Sequence, residues 1–179
     1  GPQAYRMGAC NYAYKRNGAI HKMVQKRALI TGSGGQDGPY LSEILKRHKY
    51  EVVGLTHSDL DLADAVAVER AVFKYKPDEI YNLAGQSSVR RSFDDPVGTH
   101  NITGLGAVRM FEATRKYRDV SGKNVKFFQP GSSEMFGNEP APQDENTAFD
   151  PQSPYAKAKV FAFNEAVRYR KEYKMFICN

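Results

Sequence analysis

Tyr155 and Lys159 stand four residues apart in the run Ser153-Pro154-Tyr155-Ala156-Lys157-Ala158-Lys159, downstream of Thr31-Gly32-Ser33-Gly34-Gly35-Gln36-Asp37-Gly38. On a helix, positions i and i+4 share a face, so the Lys159 ammonium can favour the phenolate of Tyr155 and ready it to take a proton from an alcohol. Alone, such a pair reads as a solvated helix face, because Tyr and Lys are common there. The glycine stretch shifts the balance. Gly32, Gly35 and Gly38 fit Gly-x-x-Gly-x-x-Gly after an apolar run and at the start of a helical pattern, the context in which such a turn cradles a pyrophosphate. Glycine admits positive φ and carries no Cβ to block a phosphate, while the helix N-terminus offers free amides and a partial positive charge. A dinucleotide site upstream and an activated phenol downstream together point to hydride chemistry at an alcohol carbon.

These groups need a scaffold, and the chain supplies alternating strand and helix patterns from Lys26 onward. Strands are predicted at Arg27 to Thr31, Tyr50 to Leu55, Glu79 to Ala84, Val125 to Gln129 and Met175 to Cys178. Helices are predicted from the glycine turn to about His48, over Ala63 to Tyr75 with Val66, Ala67, Ala71 and Val72 inward, over Val97 to Tyr117 opened by Pro96, and from Tyr155 to about Tyr173. This is the signature of an α/β fold, a doubly wound parallel sheet of Rossmann type in three αβα layers, whose ligands bind at the carboxyl ends of the strands. The fourth strand delivers Pro130-Gly131-Ser132-Ser133-Glu134 to that edge. At the end of the second strand, Thr56-His57-Ser58 offers neither the acid that suits NAD nor the arginine that suits NADP. Asp61 and Leu62, one turn further, either bracket an adenine or form an exposed helix entry.

At 179 residues the chain is long enough for one domain, and its formal net charge of +6 looks at first like a nucleic-acid footprint. Six of the 26 basic residues, Arg6, Lys15, Arg16, Lys22, Lys26 and Arg27, fall in the first 27 positions without an acid among them, and the remaining 20 balance the 20 acids. Nucleic acid is therefore not an expected partner. Residues 1–25 are expected to be a mobile basic tail, or an extension left by processing, ahead of a domain at 26–179. Cys10 and Cys178 are far apart with no metal-ligand spacing, which points to a reducing, cytoplasmic setting and no metal. No apolar stretch approaches the roughly 20 residues needed to span a bilayer, so no membrane partner is expected.

The motifs Ala28-Leu29-Ile30-Thr31-Gly32, Pro77-Asp78-Glu79-Ile80-Tyr81-Asn82-Leu83-Ala84 with Gln86-Ser87, Ser132-Ser133-Glu134-Met135-Phe136-Gly137 and Ser153-Pro154-Tyr155-Ala156 with Lys159 resemble, in order and spacing, the extended short-chain dehydrogenase/reductase superfamily. Within it the match is nearest to the GDP-mannose 4,6-dehydratases, and it runs over roughly residues 26 to 179. Ser-Ser-Glu is the discriminating element. The resemblance implies a lyase of nucleotide-sugar metabolism acting on GDP-mannose with internally recycled NADP, NAD not being excluded. It assigns catalysis to Ser132, Glu134, Tyr155 and Lys159. It assigns cofactor contacts to Gly32, Gly35, Gln36, Asp37, Gly38, Asp61, Leu62, Leu83, Ala84, Gln86, Tyr155 and Lys159, and substrate contacts to Ser87, Ser133, Glu134 and Asn179. Asn101 either braces the active-site backbone or lies on a polar helix face, and Arg90 and Arg91 either meet phosphates or are surface residues.

Two departures from the family qualify these expectations. The chain between Leu55 and Asp61 lacks the arginine-containing loop that grips the NADP phosphate. It also stops at Asn179, about where the family begins its sugar-nucleotide pocket, so the substrate domain is expected to be largely absent and turnover by this chain alone poor. Ala84-Gly85-Gln86 and Ser92-Phe93-Asp94-Asp95-Pro96 also resemble GDP-4-keto-6-deoxymannose reductases. A truncated, non-catalytic Rossmann scaffold in a larger assembly is the third alternative. Homo-oligomers are common in the family.

Overall fold

The structure, a computed structural model, describes residues 13–16, 19–22 and 25–179. Strands β3 (Arg27–Thr31), β4 (Glu51–Leu55), β5 (Glu79–Asn82), β6 (Lys126–Phe128) and β7 (Phe176–Cys178) form one sheet in the order β4-β3-β5-β6-β7. Every pairing is parallel. β3 is buried from Ala28 to Thr31, as a central strand covered on both faces must be. The strand order reverses between β3 and β5, and the crevice at such a switch point is where ligands bind in open α/β sheets.

Part of the segment expected to be a mobile tail folds back on itself. β1 (Ala13–Arg16) and β2 (Ala19–Lys22) pair antiparallel as a separate two-stranded sheet, a hairpin that the sequence showed no turn or alternation to announce. Cys10 and the rest of that segment lie outside the described residues.

Helix α1 (Gly38–Arg47) covers one face, where Leu45 and Leu41 pack on Ala28, Ile30 and Val52. Helices α2 (Ala65–Tyr75), α5 (Leu105–Ser121) and α6 (Pro154–Tyr173) cover the other, closing a core around Leu29, Val68, Ile80, Phe111, Phe127 and Tyr169. Phe111 anchors that core edge-on to Phe127 at 5.0 Å between ring centroids. Val66 does not belong to it: the inward stripe of α2 is Val68, Ala71 and Val72, because Asp64 accepts from the amides of Val66 and Ala67 and starts the helix two residues later than the sequence suggested.

The single helix expected over Val97 to Tyr117 is three pieces. A separate α3 (Val89–Asp94) precedes it, capped by the Ser88 hydroxyl on the Arg91 amide, and α4 (Pro96–Thr99) begins at Asp95, whose carboxylate accepts from Gly98. A π-helical turn, His100–Gly104, then joins α4 to α5. Such turns sit often at functional sites. Arg109 holds this one in place, donating to the Asn101 carbonyl at 2.9 Å, the Asn101 side-chain oxygen at 2.7 Å and the Leu62 carbonyl at 3.0 Å. Asn101 is thus a bracing residue of the turn.

Candidate active site

The glycine turn opens a cleft of about 770 Å³ at the switch point. Gly32 adopts φ 65° and its missing Cβ would fall 2.6 Å from the Ala84 amide nitrogen, so the turn needs glycine there to lie against the end of β5. At Gly38 the reason differs from the one read in the sequence. Its Cβ would collide with the Ser33 backbone, so this glycine serves the turn's own closure and not the approach of a phosphate. The Asp37 side chain makes no capping bond to α1, which leaves first-turn amides facing the cleft. A cleft of this size, of mixed polar and apolar lining, beside an uncapped helix start fits a dinucleotide.

Of the expected cofactor contacts, Gly32, Gly35, Gln36, Asp37, Gly38, Leu62, Leu83, Ala84 and Gln86 line this cleft, as does the expected substrate contact Ser87. Asp61 does not. Its carboxylate accepts from the Ala63 amide at 2.9 Å, closing the turn before α2. Arg91 does line the cleft, together with Asp95, Gly98 and Ile102.

The residues expected to be catalytic lie further along the strand ends, and none of them lines the cleft. Tyr155 is buried in the first turn of α6, which Ser153 caps by accepting from the Ala156 amide at 3.0 Å. Lys159, one turn on, donates to the Pro130 carbonyl at 3.0 Å, and its ammonium stands 6.0 Å from the Tyr155 ring centroid. Burial pulls the Lys159 pKa down to about 8. The loop after β6 turns through a short 3₁₀ segment, Ser133–Met135, where the Ser132 hydroxyl accepts from the Glu134 amide at 3.3 Å. Ser132 therefore also does the structural work of satisfying a strand-end amide. Ser133 and Glu134 are exposed. Asn179, at the end of β7, donates to the Gln129 carbonyl at 3.2 Å and accepts from Arg170 at 3.1 Å, which ties it to the same edge. α6 also packs on the π turn, His100 against Phe161 at 4.8 Å, so Tyr155 and Lys159 are carried by the helix that braces the cleft wall.

Beneath both regions runs a buried polar chain that the sequence reading missed. The Thr31 hydroxyl donates to the Asn82 side-chain oxygen at 2.5 Å, and the Asn82 amide donates to the Gln129 side-chain oxygen at 2.8 Å, linking the ends of β3, β5 and β6. A polar residue closing each of three apolar strands was the available signal. Thr103, in the π turn, holds the Gln86 amide at 3.0 Å, and Gln86 in turn donates to Thr99 at 3.1 Å.

A sequence profile described as GDP-mannose 4,6 dehydratase matches residues 56–179, well over half of the chain. The chain belongs to that family. GDP-mannose 4,6 dehydratase 2 of Arabidopsis thaliana is 42% identical over 182 residues, 87% of this chain and 49% of that protein. A Vibrio cholerae GDP-mannose 4,6-dehydratase is 38% identical over 185 residues, again 87% of this chain and 49% of the relative. The chain thus spans about half the length of the curated relatives it matches. Among solved structures, Thermus thermophilus UDP-glucose 4-epimerase in complex with NAD superposes with a TM-score of 0.76 at 27% identity, over 85% of this chain and 53% of that one. This neighbour carries the α/β fold of the short-chain dehydrogenase/reductase superfamily, which the chain shares. No helix among the described residues is long and apolar enough to cross a membrane.

Proposed function

We propose that this chain supplies the cofactor-holding and catalytic half of a GDP-mannose 4,6-dehydratase, a lyase forming GDP-4-keto-6-deoxymannose in the cytoplasm, on the way to GDP-fucose. What supports the reading is the packing of α6, which carries Tyr155 and Lys159, against both the turn that bears Glu134 and the π turn beside the glycine cleft. The family pattern makes NADP the cofactor. Gly32, Gly35, Gln36 and Ala84 would hold it in the cleft, where a bound nicotinamide would supply reversible hydride acceptance with no net consumption of cofactor.

The chain's own residues then have separable tasks. Ser132 holds the 4-hydroxyl and Tyr155 takes its proton, with the Lys159 ammonium stabilising the phenolate. The new ketone acidifies the hydrogen on carbon 5. Glu134, on its exposed turn, removes that proton and delivers one to the departing 6-hydroxyl, which leaves as water. The proton held by Tyr155 is released as carbon 5 is reprotonated, so the sum is loss of one water from the sugar. Ser87, Ser133 and Asn179 are proposed to contact the sugar nucleotide.

Glu134→Gln is expected to preserve oxidation at carbon 4 while abolishing water loss, so reduced cofactor accumulates in a single turnover with GDP-mannose. Equal loss of both steps would remove Glu134 from its role. A reductase would instead consume NADPH in proportion to product.

A further inference from the structure

Among the described residues that line the glycine cleft, one carries a permanent positive charge, and the catalytic chemistry does not use it. Arg91, on α3, lines the cleft together with two acids, Asp37 and Asp95. A dinucleotide brings further negative charge in its diphosphate. Without Arg91 that group would enter a cleft whose permanent charges all share its sign.

The Arg91 guanidinium is exposed and donates to no group among the described residues. Arg109, Arg115, Arg118, Arg168 and Arg170 are by contrast each engaged with a carboxylate or carbonyl oxygen. Arg70 and Arg90 share the freedom of Arg91 but do not line the cleft. Asp95, four residues on, is turned to the Gly98 amide, which it holds at 2.9 Å. The backbone beneath the free side chain is fixed. The Ser88 hydroxyl accepts from the Arg91 amide at 3.2 Å, and the Arg91 carbonyl accepts from the Asp95 amide at 3.0 Å. The Gln86 side chain ties Ser88 on both sides, accepting from its amide at 2.6 Å and donating to its carbonyl at 2.9 Å. Ser92, the next residue, is buried and donates to the Val89 carbonyl at 2.5 Å. A fixed platform thus presents a long, unpaired cation to the cleft, and the ordering cost on binding is confined to one side chain.

We propose that Arg91 is a phosphate-binding residue of the cofactor site, gripping the dinucleotide's diphosphate from the β5 side while the first-turn amides of α1 hold it from the β3 side. The assignment rests on the dinucleotide reading of the cleft and adds a residue to it. A guanidinium fork meets two phosphate oxygens at once, a match that a lysine or an amide lacks. Ser132, Glu134, Tyr155 and Lys159 do not line this cleft, which favours the cofactor over the sugar nucleotide as the source of the phosphates. NAD and NADP share the diphosphate, so both are expected to depend on Arg91.

Titration calorimetry of the whole chain with NAD, NADP and GDP-mannose, at low and physiological salt, tests this. Arg91→Gln is expected to weaken both dinucleotides about tenfold, to leave the remaining affinity less sensitive to salt, and to keep the melting temperature of the parent. Arg91→Lys retains the charge without the fork and should fall between the two. Arg90→Gln, at the exposed neighbour outside the cleft, should match the parent. Unchanged dinucleotide affinity in Arg91→Gln, or an equal loss in Arg90→Gln, would overturn the assignment. A loss confined to NADP would overturn it in favour of the 2′-phosphate, and one confined to GDP-mannose in favour of the sugar nucleotide. A loss accompanied by a lowered melting temperature would give Arg91 a structural role instead. Failure of the unaltered folded chain to bind either dinucleotide would overturn the reading of the cleft, and this assignment with it.

Discussion

The cleft and the proposed catalytic edge of this protein are built by different means. The cleft is shaped by backbone: Gly32 lies against Ala84, Gly38 closes on Ser33, and the first turn of α1 is left uncapped. The proposed catalytic edge is assembled from side chains on two elements distant in sequence, with Lys159 half-buried and tied to Pro130 while Glu134 stands in solvent. A backbone cradle tolerates variation in what surrounds it but not in its own glycines. A side-chain constellation can change its chemistry one residue at a time on an unchanged frame, which is how one fold serves epimerases, reductases and dehydratases.

Gly38→Ala is the harshest break, because its Cβ strikes backbone that cannot move aside without reopening the turn. Urea unfolding is expected to show a loss of about 3 kcal/mol or more, taking both regions down together. Asn82→Leu cuts the polar chain on which both rest, stranding the Thr31 hydroxyl and the Gln129 side-chain oxygen in a buried setting; a loss of about 2 kcal/mol is expected from the same measurement.

Lys159 sharpens the contrast through pH. Its folded pKa of about 8 lies below the ordinary lysine value of about 10.4, so between those limits the folded chain holds fewer protons than the unfolded one. Stability therefore rises as pH climbs through that window, and at neutral pH the buried charge is a cost. Lys159→Met should raise neutral-pH stability by about 1 kcal/mol and flatten that alkaline rise, read from denaturation midpoints across pH. Smallest is Asp61→Ala, which removes a turn contact outside the cleft and should leave dinucleotide affinity within about 0.5 kcal/mol of the parent.

The sheet was legible because its strands are short apolar runs set apart by turn residues, and the glycine cleft because its spacing sits between β3 and α1. That Tyr155 and Lys159 share one helix face followed from their spacing, while the role proposed for them drew on the glycine turn and the family motifs. What escaped were features decided by tertiary contact. The π turn exists because Arg109 clamps Asn101 and Leu62, eight residues back and 47 residues away, and no local pattern encodes that. Asp61 looked like an adenine neighbour because sequence order places it after β4, yet the nearest free amide, that of Ala63, claimed its carboxylate. Two further aspartates in that stretch cap turns, Asp59 on Thr56 and Asp64 on α2, and only the latter has a spacing that announces it.

The central claim is that a hydride leaves carbon 4 of a hexose and returns to carbon 6 of the same molecule within reach of Tyr155, Lys159 and Glu134. The most direct test is a single turnover with GDP-mannose deuterated at carbon 4, protein in excess and dinucleotide supplied in its oxidised form. The label is predicted at carbon 6 of the 4-keto-6-deoxy product with no added reductant. A product bearing hydrogen from solvent at carbon 6, or a label that never leaves carbon 4, would contradict it.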